Sequence, residues 1–199
     1  MFLSKVVVDW KWAKDPYQLH RALWQLFPDR PQNQRDFLFR VEAGDASRGL
    51  NVLLQSTHSP QQAKVATVLA SKSIEPILLQ GLGYYFRLRA NPVKSIRDGK
   101  GRLNARGEVK TCRVPLLGED ECLRWLERKL APAAQLQSAR MVREPVLLFH
   151  KKGMNGKIQT VCFEGTLVVN DADEFASLIH SGIGPAKSMG CGMLSLARA

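Results

Sequence analysis

The 199 residues predict an α+β chain of two βαββαβ units in tandem, the ferredoxin-like (RRM-like) arrangement. Three observations carry this. A β-branched apolar run opens the chain and a capped helix follows it at once. Strand candidates then alternate with helical patterns around Gly and Pro punctuation. After residue 82 the same order begins again. The units divide as 1–82 and 83–199.

Residues 2–8 (Phe-Leu-Ser-Lys-Val-Val-Val) form the first strand, because β-branched side chains suit a half-buried pleated surface. Asp15-Pro16 starts a helix, with Asp as N-cap and Pro at the first helical position, and Pro28 stops it near residue 27. Residues 37–42 and 50–56 are strands around a turn holding Gly44 and Gly49. Ser59-Pro60 opens a second helix over 60–71, and 74–79 is the fourth strand. In the second unit, 84–90 is the first strand, and the basic segment 97–113 is an insertion after it. Gly118-Glu119 opens a helix carrying Trp125, Leu126 and Leu130 at helical spacing. Residues 146–149 and 157–169 form a hairpin joined through Lys151-Lys-Gly-Met-Asn-Gly. Asn170 caps a last helix bearing Phe175, Leu178 and Ile179, which Gly182 ends, and 193–196 closes the sheet.

Apolar residues make up 45% of the chain, enough for a folded core. No apolar run approaches the ~18 residues of a membrane span. The N-terminal run is broken by Lys5 and ends at Asp9, so no signal peptide is expected and the product is expected in the cytoplasm. Cys112, Cys122, Cys162 and Cys191 lack the spacing of a zinc knuckle and are expected as reduced, mostly buried thiols. No His, Asp or Glu cluster has metal-ligand spacing, and neither a metal nor a cofactor is expected.

The charge is uneven. Residues 1–82 carry 10 basic and 7 acidic side chains, whereas 83–199 carry 19 and 11. Within 87–113 stand nine basic residues (Arg87, Arg89, Lys94, Arg97, Lys100, Arg102, Arg106, Lys110, Arg113) against Asp98 and Glu108. So concentrated a cationic stretch suits a polyanion, whose counterions are released on binding; a solvated loop is the plain alternative.

Three constellations could carry chemistry. On the first helix, Tyr17, His20 and Trp24 are spaced i, i+3 and i+7 and share a ridge beside the apolar stripe of Leu19, Ala22, Leu23 and Leu26. An imidazole beside a phenol makes an acid/base pair, or the three rings simply pack at the boundary. Gly182-Ile-Gly-Pro-Ala-Lys-Ser-Met-Gly-Cys-Gly carries Gly182, Gly184, Gly190 and Gly192 around Lys187. It could bring backbone N–H groups close to a phosphate, or serve as a turn; it lacks the P-loop ending. Along 84–90, apolar residues alternate with Tyr85, Arg87 and Arg89, a face suited to phosphates and bases or to a charged edge. His58, His150 and His180 stand outside these groups.

The glycine–hydrophobic–glycine, five residues, glycine–hydrophobic–glycine pattern of 182–192 resembles that of CRISPR repeat-processing endoribonucleases. Tyr17-Gln-Leu-His20-Arg-Ala-Leu-Trp-Gln-Leu-Phe-Pro, Arg35-Asp-Phe-Leu-Phe, Tyr85-Phe-Arg-Leu-Arg-Ala-Asn-Pro and Lys157-Ile-Gln-Thr-Val-Cys-Phe-Glu-Gly resemble its CasE branch, the RNA-processing subunit of Cascade. The resemblance spans nearly the whole chain. It implies two ferredoxin-like folds, metal-independent cleavage of a CRISPR precursor RNA at the base of its repeat hairpin, retention of the product, and assembly with other Cascade subunits. It also implies a catalytic histidine on the first helix with a tyrosine three residues before it, positions matched by His20 and Tyr17. The RNA's 2′-OH would be the nucleophile. The basic side chains expected at the RNA are Arg21, Arg87, Arg89, Lys94, Arg97, Arg102, Arg106, Lys110, Arg113, Lys151, Lys152, Lys157 and Lys187. The competing reading is a non-catalytic RNA-binding scaffold subunit, which would be indifferent to His20.

Overall fold

The computed structural model describes residues 1–29, 35–45, 49–151 and 154–199. The first half holds β1 (Phe2–Val8), α1 (Trp10–Ala13), α2 (Pro16–Trp24), β2 (Phe37–Asp45), β3 (Gly49–Ser56) and β4 (Ala66–Ser73). The second holds β5 (Gly83–Ala90), β6 (Val93–Arg97), β7 (Thr111–Pro115), α3 (Glu119–Leu130), β8 (Ala134–Arg143), β9 (Leu147–Lys151), β10 (Met154–Ile158), β11 (Val161–Val169), α4 (Ala172–Ser181) and β12 (Leu194–Arg198). A single 3₁₀ turn, Lys187–Met189, precedes β12.

Two four-stranded antiparallel sheets result, ordered β2-β3-β1-β4 and β12-β5-β11-β8. The permutation is the same in both. The first strand of each half lies between its third and fourth, and the second takes the edge, as in a split βαβ fold. Alternation fixes the faces. Val6 and Val8 turn in to meet Leu19, Ala22 and Leu23 of α2 together with Phe37, Phe39, Val52 and Leu54. In the second half Tyr84, Phe86 and Leu88 meet Trp125 and Leu126 of α3 and Phe175 and Ile179 of α4. Helices α2, α3 and α4 thus each bury one apolar stripe on their own sheet, an arrangement that removes apolar area from water.

Two ribbons leave this frame. β6 pairs β7 in an arm inserted after β5, where the basic insertion was expected, and β9 pairs β10 between β8 and β11.

Several expectations need correction. No helix occupies 60–71; the fourth strand lies at Ala66–Ser73, ahead of the expected 74–79. Val65, Thr67 and Val68 favour extended backbone, and β1 offers an open edge along Phe2–Val8 for them to pair with. The turn before β4 is closed by Gln62, whose side chain donates to Val68 O and accepts from Val68 N, both at 2.9 Å. Helical propensity in 60–71 yields to that pairing. The strand β8 and the short helix α1 were not foreseen. The expected strand 157–169 breaks at Gln159-Thr160 into β10 and β11, so β9 pairs with β10 alone. Asp171, not Asn170, caps α4: its Oδ1 accepts from Glu174 N at 2.9 Å.

The halves meet along β2, β3 and the end of α4. Buried Gln55 Nε2 donates to Ile179 O at 2.9 Å, and Arg40 Nη1 donates to Ser195 Oγ at 2.8 Å. Within the second sheet β11 and β8 run so close that a Cβ at Gly165 would stand 2.0 Å from Ser138 O. Gly165→Ala is expected to destabilise the chain by about 1–3 kcal/mol through overpacking. Urea denaturation of the variant checks this, and an unchanged midpoint contradicts it.

Candidate active site

Helix α2 begins where Asp15 satisfies two of its orphan amides: Oδ1 accepts from Tyr17 N at 2.6 Å and from Gln18 N at 3.4 Å. Three residues on from Tyr17, along the same ridge, comes His20; both are half-buried. The His20 ring is framed by aromatics. Its centroid lies 5.6 Å from Phe37, 6.4 Å from Phe39 and, edge on, 6.3 Å from Trp24. Phe37 in turn stacks on Phe27 at 5.4 Å. Aromatic pairs of this kind contribute about 0.5–1.5 kcal/mol each beyond their burial. The packing restricts the imidazole to few rotamers while its ridge stays half open.

The glycine-rich segment comes to the same place. α2 packs against both the Lys187–Met189 turn and β9, and β2 packs against the turn too. Gly182, Gly184, Gly190 and Gly192 all have positive φ, between 74° and 92°. Two of them also approach β2 closely: a Cβ at Gly182 would meet Leu38 at 2.8 Å, and one at Gly190 would meet Phe39 at 3.1 Å. Phe39 is itself stacked on His20. The glycines therefore seat the second half on β2 directly behind the imidazole.

Lys187 Nζ donates to Ser181 O at 2.6 Å. Burial pushes its pKa below the ordinary value, and the nearby charges of Arg35 and Lys129 add to this. A groove of about 530 Å³ runs past Arg113, Lys129 and Lys187 over Trp125 and Gly184. A second, of about 600 Å³, is lined by Arg113, Lys157, Asn91 and Gln159. They share Val93, Arg113 and Pro185, so they adjoin. The structure thus packs α2, which carries His20 and Tyr17, against the turn that carries Lys187, and the groove holding Lys187 and Arg113 adjoins the one holding Lys157.

The remaining basic positions divide. Arg97, Arg102, Arg106 and Lys110 are exposed on or between β6 and β7. Arg102 binds Asp98 and holds that carboxyl below its ordinary range, helped by the Lys100 amide. Lys94 lies 3.2 Å from Glu121. Arg21 is exposed, its Nη1 3.4 Å from Gln18 Oε1. Arg87 and Arg89 do share a strand face, but carboxylates occupy them. Arg87 pairs with Glu164 at 3.2 Å and Glu42 at 3.7 Å. Arg89, 11% exposed, pairs with Glu144, which also accepts from Thr160 Oγ1 at 2.8 Å. That network clamps the base of the β9–β10 ribbon. Lys151 ends β9, and Lys152 lies outside the described residues. Arg35 and Lys129 escaped the sequence reading. They lie 94 positions apart and only the fold gathers them beside Lys187.

Comparison with known proteins places this geometry. The family described as "CRISPR associated protein" matches residues 1–198. The chain belongs to this family. The Cascade subunit CasE of Escherichia coli (strain K12) is 52% identical over 197 residues, 99% of each chain. The crystal structure of Cas6e from E. coli str. K-12 is similar to this one with a TM-score of 0.87 at 50% identity, covering 100% of both chains. The CRISPR-associated endoribonuclease Cse3 of Thermus thermophilus is 31% identical over 204 residues, 92% of this chain and 90% of that one. T. thermophilus Cse3 bound to an RNA representing a pre-cleavage complex has a TM-score of 0.77 at 29% identity, covering 98% of each.

Among the described residues of this family member, no group of three or more His, Cys, Asp or Glu stands together as a metal site, and no helix is long and apolar enough to cross a membrane. All four cysteines are free; Cys112 is exposed and the others are buried. Burial pushes the Cys191 thiol from 9.0 up to about 12. A raised folded-state value means that the native chain keeps a proton which the unfolded chain releases earlier. Cys191 therefore supports the fold fully below pH 9.0 and loses that contribution as pH climbs toward 12. The urea midpoint is expected to fall across that window, less steeply in Cys191→Ala. At neutral pH a thiol reagent is expected to modify Cys112 alone until the chain is unfolded.

Proposed function

We propose that this protein is a metal-independent endoribonuclease that cleaves CRISPR precursor RNA at the base of the repeat hairpin and retains the product within Cascade. The observation that carries the reading is the meeting of α2 and the glycine loop. His20 and Tyr17 stand on α2, which packs against the Lys187–Met189 turn, and Lys187 lines one of two adjoining basic grooves, in a chain of this family.

RNA brings its own nucleophile. The 2′-oxygen attacks the adjacent phosphorus in line, the bond to the 5′-oxygen breaks, and a 2′,3′-cyclic phosphate and a 5′-OH result. One proton leaves the 2′-OH and one is delivered to the leaving oxygen. His20 moves a proton at one end of this exchange, held in position by Phe37, Phe39 and Trp24. Tyr17 orients the phosphate from the preceding turn. Lys187, with loop amides, faces the charge that builds on the phosphorane. Alignment of attacking and leaving oxygens supplies the rest.

Arg113, Lys157 and Lys187 line the path of the RNA backbone, and the β6–β7 arm with Arg97, Arg102, Arg106 and Lys110 grips the hairpin stem. Residues 1–82 form a ferredoxin-like domain carrying the catalytic helix, and 83–199 form the one carrying the arm and the glycine loop. The protein works in the cytoplasm, where its transcript is made.

Cleavage of a cognate repeat-hairpin RNA in EDTA is expected from wild type, with 5′-OH ends, and not of the same RNA with a 2′-deoxy substitution at the cut. His20→Ala is expected to lower the rate by about a hundredfold or more, with binding retained. A His20→Ala rate within about twofold of wild type sinks the assignment. Neutralising Arg113 or Lys157 is expected to lower the slope of log affinity against log salt by about one each.

A further inference from the structure

Asp15 does more than cap its helix. While Oδ1 accepts the amides of Tyr17 and Gln18, Oδ2 accepts the backbone N–H of His150 on β9 at 2.9 Å, across 135 positions of sequence. The His150 ring also stands over this carboxylate, Nδ1 lying 3.7 Å from Oδ2. His150 faces Asn155 in the β9–β10 ribbon, and its N–H points away from that ladder toward the helix. The far end of the same ribbon is fixed: Arg89, Glu144 and Thr160 bind one another at its base, and Gln159 Nε2 donates to Glu144 O at 2.8 Å. β10 also carries Lys157, which lines the larger basic groove. One carboxylate therefore joins the first turn of the catalytic helix to a ribbon that is anchored in the second half and faces the RNA groove.

We infer that Asp15 is a positioning residue for cleavage: by holding β9 to the N-terminus of α2, it sets Tyr17 and His20 against RNA gripped along the β9–β10 ribbon. The inference rests on the endoribonuclease reading. A helix docked by its core stripe alone keeps freedom to rock about that stripe, and its first turn, with Tyr17, moves most. The tether removes that freedom, and small displacements of reacting groups are costly in rate. Asp15 touches no reacting atom, so its effect passes through Tyr17 and His20.

Asp15→Asn separates cap from tether. Asn is as good an N-cap as Asp, yet its side chain has one oxygen to offer, and its amide nitrogen cannot accept the His150 N–H. His150→Pro removes the same hydrogen bond from the other side, since the missing N–H is one that the ribbon ladder does not use. In single-turnover cleavage at saturating repeat-hairpin RNA, each variant is expected to lose roughly tenfold or more in rate. Affinity for that RNA is expected within about twofold of wild type and the unfolding midpoint unchanged. The double variant is expected to match the singles, because both remove one bond. Asp15→Ser, which also caps but has a single oxygen, is expected to behave like Asp15→Asn. Rates within twofold of wild type in Asp15→Asn and Asp15→Ser, or fully additive losses in the double variant, overturn the inference. If wild type itself fails to cleave the cognate RNA, the endoribonuclease reading fails and the positioning role falls with it. Cleavage by wild type and by both Asp15 variants alike refutes the tether alone.

Discussion

Where Gly182 and Gly190 meet β2, the two halves of the molecule approach so closely that a Cβ at either glycine would press on Leu38 or Phe39. Everything at the candidate site follows from that approach. Leu38 and Phe39 are neighbours on one strand and point to opposite faces, and each is met by one of the two glycines. Phe39 thus lies within reach of both the loop and the imidazole of His20. The loop and the helix that carries His20 are therefore packed through the same aromatic side chain. The loop's positive φ values and close contacts both call for glycine, which explains the repeated pattern without invoking backbone contact to a phosphate.

The electrostatics divide along the same line. Cations on the sheets are consumed within the protein: Arg87 and Arg140 of the second sheet share Glu164, and Arg40 on β2 of the first pairs with Glu42. Near the glycine loop, basic side chains gather instead. Burial depresses the proton affinity of Lys187, and the charges of Arg35 and Lys129 beside it add to this. An excess of like charge held together by the fold is a standing preference for a polyanion, whose arrival relieves it. The net charge of +11 is thus less informative than its partition.

Much of this was legible in the sequence because it is local. Asp15-Pro16 marks the start of α2 through cap chemistry that needs no tertiary contact. The ridge of Tyr17, His20 and Trp24 follows from helical geometry, and the alternation over 84–90 follows from strand geometry. What was hidden depends on partners. Residues 60–71 carry an acceptable helical pattern, but the edge of β1 recruits 66–73 as a strand. The polar alternation of β8 looks like loop until β11 lies beside it. Arg89 looks available to RNA until Glu144 arrives from the connection after β8. The Arg35–Lys129–Lys187 cluster and the Asp15–His150 bond join residues far apart in sequence, and periodicity carries no trace of them.

The order of the strands has a consequence for synthesis. α2 and its histidine leave the ribosome early, yet the glycine loop and β12 lie more than 150 residues later, at 182–198. β12 pairs with β5, at the centre of the second sheet, so that sheet also stays incomplete until Leu194–Arg198 has been made. Until then Phe39 lacks its backing and Lys187 is absent from the helix face. A nascent chain can hold the imidazole but not the site. The candidate site is therefore assembled late, once residues 182–198 have joined the rest of the fold.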